Sequence, residues 1–121
     1  MTEPAQALAQ LRQRALQFLV HSFLYYRLGE SVISDEAFDR LAAELRELRR
    51  DHPGAPLPHG EVVDAALGPE GSGFQIRRYP PQVVSAAFKL LYAAQAPAVA
   101  FREFVERRGY RLEIEGRSET E

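Results

Sequence analysis

The chain has 121 residues, a formal net charge of −2, and a composition 45% hydrophobic and 26% charged, the size and balance of one soluble globular domain with a real core. It contains no cysteine, which excludes disulfides, thiolate zinc sites and cysteine nucleophiles together. Residues 1–20 carry Glu3, Arg12 and Arg14 before any apolar run, and no stretch approaches the roughly 18 uncharged residues of a membrane helix; neither a signal peptide nor a membrane span is expected, and a cytoplasmic setting is.

Thr2 and Pro4 announce a helix, a capping hydroxyl followed by a first-turn proline. Leu8, Leu11, Ala15, Phe18, Ser22 and Tyr26 then recur at three- and four-residue steps, the spacing of one helix face. Leu16, Leu19, Val20, Phe23 and Leu24 widen that face until its last turns are apolar almost all round, so this end must be buried by the rest of the chain or by a partner. Gly29 is the expected stop. Ser34 is a good N-cap for a second helix, and Asp35 and Glu36 suit the positive end of its dipole. Phe38, Leu41, Leu45 and Leu48 form its apolar stripe, Arg46, Arg49 and Arg50 fill its last turns, and His52-Pro53-Gly54 ends it. The two helices make a hairpin.

Residues 53–60 hold three prolines and two glycines and read as a loop. A short helix is expected from Glu61 to Leu67, another loop over 68–73, and a weakly alternating strand over 74–79. Pro80-Pro81 opens a third clear helix with Val83, Val84, Ala87, Leu90 and Leu91 as its apolar face, interrupted by Pro97. A fourth runs from about Ala98 to Arg108, stopped by Gly109. Residues 110–115 alternate and could pair with 74–79 as a two-stranded antiparallel ribbon. The expected fold is therefore mostly α within a single domain, 1–121: a helical hairpin (1–53), a loop-rich connector (54–73), a helical extension with the ribbon (74–115) and a frayed tail (116–121).

The segment His21–Pro53 reads HSFLYYRLGESVISDEAFDRLAAELRELRRDHP. Tyr25-Tyr26, the run Ile33-Ser34-Asp35-Glu36-Ala37-Phe38-Asp39-Arg40-Leu41, then Glu44-Leu45 and His52-Pro53 make it resemble the N-terminal (Ia) domain of bacterial NAD-dependent DNA ligases. The resemblance implies a cap that closes over the nicotinamide mononucleotide half of NAD, with Tyr25, Tyr26, Asp35 and Asp39 as its cofactor-binding residues. The residue types suit that task. Asp35, Phe38 and Asp39 are spaced i, i+3, i+4 and share a helix face, carboxylates accept ribose hydroxyls, and aromatic rings cover a cationic ring. The sequence departs from the family pattern at Phe38, where the family has a tyrosine. The ligase reaction needs a nucleophilic lysine in a Lys-x-Asp-Gly setting, whereas Lys89 is the only lysine and no Asp-Gly pair occurs. No catalytic residues and no enzyme activity are expected.

Fourteen of the fifteen basic residues are arginine, and the sign of charge is uneven, with an acidic middle (29–72) and a mildly basic C-terminal part (73–117). Arg77-Arg78-Tyr79 and Arg107-Arg108-Gly109-Tyr110-Arg111 are an alternative nucleic-acid-binding set, since arginine holds phosphates and tyrosine stacks bases. Against it stands a sequence pI near 5.9. His21, His52 and His59 lack metal-ligand spacing, so no metal is expected. Glu70-Gly71-Ser72-Gly73 lacks the lysine of a phosphate loop and reads as a turn. The leading expectation is a non-catalytic binding module that docks on a protein partner of nucleic-acid metabolism, such as a ligase, polymerase or repair component, or on a second copy of itself. A nicotinamide mononucleotide or NAD sensor and a small nucleic-acid-associated regulator are the alternatives.

Overall fold

A computed structural model describes residues 4–67 and 76–112. In chain order the elements are α1 (Pro4–Ser22), a π-helical turn (Phe23–Leu28), α2 (Asp35–Asp51), α3 (Gly60–Ala66), α4 (Pro81–Gln95) and α5 (Phe101–Glu106). The fold is mostly α. The Thr2 cap, the 68–73 loop, residues 74–75 and 113–115 of the expected ribbon and the tail lie outside the described residues.

The hairpin forms for the reasons legible in its sequence. Ser34 caps α2, its Oγ accepting a hydrogen bond from the Ala37 N–H at 3.0 Å, and Asp35 with Glu36 occupies the positive end of the helix. Leu41 and Leu45 are buried in the same core as Leu11, Ala15 and Phe18 of α1, which packs along α2. Phe38 stacks on Phe18 with centroids 5.8 Å apart, and Arg14 pairs with Glu44 across the hairpin at 3.0 Å. At the other end Arg49 forks onto Asp64 of α3, both N···O distances 2.9 Å, and donates to the carbonyls of His52 and Ala55. One side chain thereby ties the end of α2 to the loop and to α3.

Two expectations are corrected. No strand occurs among the described residues, although Ile76–Tyr79 and Tyr110–Leu112 are described. The reason lies in the local hydrogen bonds. The Tyr110 N–H closes the end of α5 on the Val105 carbonyl, and the Ile76 carbonyl accepts from the Arg27 guanidinium, so neither is spent on a ladder. In α4 the buried arc is Val83, Ala87, Phe88 and Leu91, whereas Leu90 is 40% exposed. The core meets this helix over an arc reaching to Phe88, which leaves Leu90 on the far flank.

The apolar end of α1 finds its cover within the chain. α4 packs on α1 and on the π turn, and Leu19, Val20, Phe23 and Leu24 are all buried. α5 closes the other flank, where the Tyr92 hydroxyl donates to the Val99 carbonyl at 2.6 Å and its ring meets Phe101 and Phe104 edge-on. No helix among the described residues is long and apolar enough to cross a membrane.

Candidate functional site

The π turn decides where the tyrosine pair goes. An α-helical count places Tyr26 on the buried stripe with Phe18 and Ser22. The chain instead winds with i→i+5 bonds from Phe23 to Leu28, and Gly29 ends the turn in the left-handed region (φ 65°), its N–H donating to the Leu24 carbonyl. This winding sends Phe23 and Leu24 into the core and leaves Tyr25 41% exposed with Tyr26 half-buried. Such turns concentrate at functional positions.

Both tyrosines meet α2 at Phe38. Tyr25 lies nearly parallel to the Phe38 ring at 6.0 Å, Tyr26 stands edge-on to it at 6.3 Å, and the two tyrosines contact each other edge-to-face at 4.7 Å. Phe38 thus has Phe18 beneath it and the tyrosine pair above. Its expected packing role and its place in the site are one arrangement. Asp35 and Asp39 flank Phe38 on the same helix and are exposed. The Tyr26 phenol registers them. Burial is the first cause that raises its pKa above the ordinary 10.0, followed by the negative ends of Tyr25, Asp39 and Asp35. The four residues drawn from the ligase resemblance therefore converge on one solvent-facing patch. Its chemistry is π surface rimmed by two carboxylates, suited to a flat cation bearing hydroxyls.

Because the folded state favours the neutral Tyr26 phenol, its contribution to stability is present below the ordinary tyrosine value and is lost as pH rises through the higher folded value. Asp39→Asn removes one repelling charge. We expect it to lower the Tyr26 pKa toward the ordinary value in an ultraviolet or NMR pH titration. An unmoved pKa would separate Asp39 from the phenol.

The alternative set is spent largely on the fold. Tyr79 is 8% exposed and meets Phe23 edge-on at 5.2 Å, with the Arg27 guanidinium 6.0 Å from its ring; burial pushes its phenol far above the ordinary range. Tyr110 packs on Phe23 and Phe88. Arg107 pairs with Glu103 at 2.5 Å, and Arg108 forks onto Glu30 at 2.6 and 3.0 Å while lying over the Phe104 ring. Arg77, Arg78 and Arg111 are exposed. The histidines are scattered: His21 on α1, where burial holds its imidazole below the ordinary range, His52 after α2, and His59 before α3. No three metal-ligating side chains converge among the described residues.

Phe23, Arg27 and Glu30 brace the π turn and were not singled out as site residues from the sequence. Nothing in their spacing marks them, because their partners lie far along the chain, 49 residues away for Arg27 and 78 for Glu30, with the rings around Phe23 equally remote.

Residues 1–59 match the family described as DNA ligase-like, N-terminal NAD+-binding domain. Among curated proteins, a DNA ligase of Roseiflexus castenholzii is 31% identical over 81 residues, covering 67% of this chain and 11% of that ligase. A DNA ligase of Cellvibrio japonicus is 36% identical over 62 residues, 51% of this chain and 9% of the relative, and one of Methylococcus capsulatus is 26% identical over 83 residues, 69% and 12%. The chain spans about a tenth of the length of the curated relatives it matches. No solved structure matches it.

Proposed function

We infer, from the premise that residues 1–59 form a DNA ligase-like N-terminal NAD+-binding domain, that this chain is a non-catalytic module whose Tyr25–Tyr26–Phe38 patch receives the nicotinamide mononucleotide half of NAD. The observation that carries the reading is the convergence of three aromatic rings with Asp35 and Asp39 at their rim. The cationic pyridinium lies on the rings, and the carboxylates accept the ribose hydroxyls. Phe38 offers no hydroxyl where the family offers one, which weakens the site without abolishing it.

The patch is a single wall. Tyr25, Asp35 and Asp39 all face solvent, so a docked protein of nucleic-acid metabolism, a ligase, polymerase or repair component, would supply the opposing surface. This is the second reading, and the open face favours it. The apolar end of α1 gives it no further support, since α4 already covers that end. A nucleic-acid regulator is the weakest reading, because the fold consumes Tyr79, Arg108 and Tyr110.

An NMR titration of the full chain with nicotinamide mononucleotide tests the first reading. Amide shifts are expected at Tyr25, Tyr26, Asp35 and Asp39, lost in Asp35→Ala. Phe38→Tyr is expected to tighten binding by a few-fold, the value of one added hydrogen bond of about 0.5–1.5 kcal/mol. Silence at millimolar nucleotide would refute it. In the same samples, incubation with NAD or ATP is expected to leave the mass unchanged, because Lys89 stands alone on exposed α4 surface. One added adenylyl group, absent from Lys89→Ala, would make the chain an enzyme.

A further inference from the structure

The π turn that presents Tyr25 and Tyr26 is held from behind by residues that lie beyond the family match over residues 1–59. Phe23, its first residue, is 2% exposed and meets three rings edge-on: Tyr79 at 5.2 Å, Phe88 at 5.8 Å and Tyr110 at 5.5 Å. These come from three separate stretches of the C-terminal half. In the middle of the turn, Arg27 donates to the Ile76 carbonyl. Just past its end, Glu30 lends its N–H to the Leu24 carbonyl at 2.9 Å, so its backbone is part of the hydrogen bonding that closes the turn.

The Glu30 carboxylate is in turn the anchor of a cross-chain network. Arg108 grips it with Nε at 2.6 Å and Nη2 at 3.0 Å, and Gln95 Nε2 donates to the same carboxylate at 3.0 Å. Arg108 is itself fixed, its guanidinium 4.0 Å over the Phe104 ring and one nitrogen on the Phe104 carbonyl at 3.2 Å. A two-point arginine–carboxylate pair held this way specifies orientation as well as distance. An i→i+5 turn is an uncommon winding beside the ordinary helical one, and persists where its surroundings select it. Relaxation to i→i+4 winding would rotate Tyr25 and Tyr26 relative to Phe38.

We propose that the C-terminal helices are a positioning element for the tyrosine patch: the Glu30–Arg108 pair and the ring cage around Phe23 keep residues 23–28 in the π-helical winding that sets Tyr25 and Tyr26 against Phe38. Arg108 is a positioning residue, remote from the patch and acting through Glu30. For its effect on nucleotide affinity the proposal rests on the reading above; for the geometry of the free chain it does not.

The test therefore begins without ligand. In the full chain, ring-to-ring NOEs from Phe38 to Tyr25 and Tyr26 report the winding, and the Phe18–Phe38 NOE, internal to the α1–α2 hairpin, is the control. Arg108→Met is expected to weaken the tyrosine NOEs and leave the control intact, and Arg108→Lys, which keeps the charge without the fork, is expected to recover part of the loss. Nicotinamide mononucleotide affinity is expected to fall several-fold in Arg108→Met. Tyrosine NOEs in Arg108→Met equal to those of the parent chain would overturn the proposal. So would a joint loss of the control NOE, which would reduce the pair to a general fastening of the fold. If Arg108→Met does not fold, Glu30→Gln carries the same comparison with a smaller change. A parent chain that ignores the nucleotide sinks the binding reading alone, since the NOE comparison still decides the positioning.

Discussion

Phe23→Ala is expected to destabilise the chain by about 3–5 kcal/mol, the range for truncating a buried aromatic ring to alanine. Phe23 is chosen because its ring is 2% exposed at the meeting point of the π turn, α4 and both extended C-terminal stretches. The substitution forfeits the transfer energy of the ring and leaves a cavity walled by three aromatic rings that cannot all collapse into it. Edge-to-face pairs add roughly 0.5–1.5 kcal/mol each beyond burial, which places the loss toward the top of the range. Against a total stability of about 5–15 kcal/mol for an ordinary domain, this brings the protein near its unfolding limit at room temperature. Urea unfolding followed by circular dichroism reads the change. Leu16→Ala is the matched control, because Leu16 is 47% exposed and surface substitutions stay within about 0.5 kcal/mol. A loss below about 1 kcal/mol for Phe23→Ala would dissolve the ring cage as an energetic feature.

Deleting residues 80–121 is expected to leave an aggregating fragment. The deletion removes α4 and α5, whose Val83, Ala87, Phe88, Leu91, Phe104 and Val105 are buried in the same core as α1. What remains is the α1–α2 hairpin with α3 tied to its end, and Leu19, Val20, Phe23 and Leu24 lose the cover of α4 along consecutive turns. A contiguous apolar patch of that kind is rare on a monomeric surface and drives association. The hairpin keeps its own seam, Leu11, Ala15 and Phe18 against Leu41 and Leu45, so helical circular dichroism should survive while analytical ultracentrifugation shows heterogeneous assemblies. A soluble, monomeric fragment 1–79 would demonstrate that the end of α1 needs no cover from α4 and α5.

The hairpin was legible from the residues alone, because every signal there is local. The Ser34 cap, the acidic first turn of α2, the glycine stop at Gly29 and the four-residue stripes act within one or two helical turns, and the structure uses them as the sequence presents them. The same locality made the ligase-like motif legible, since Tyr25-Tyr26 and Asp35–Asp39 lie within fifteen residues of one another. Spacing on α2 placed Asp35, Phe38 and Asp39 on one face before any contact was known. That the short C-terminal stretches form no ribbon among the described residues could not be read locally. Alternation was present, but the Ile76 carbonyl is taken by Arg27 from 49 residues away and the Tyr110 N–H by the end of α5.

Which side of the first helix the tyrosine pair occupies emerges from packing between distant segments. A 3.6-residue count runs Tyr26 into the core, and no residue between Phe23 and Leu28 announces an i→i+5 turn. That winding coincides with a ring cage and an ion pair drawn from distant stretches of the chain, whose energies are summed only once α4 and α5 are in place. Tertiary packing also settled that the apolar end of α1 is covered by α4, which the pattern of α1 alone left equally open to a partner. It separated the arginines as well: Arg108 carries the same charge as Arg77 and Arg78 in the sequence, yet it faces the Glu30 carboxylate brought to it by the fold and the latter two face solvent. Charge is legible residue by residue, but the partner that neutralises it is a property of the packed chain.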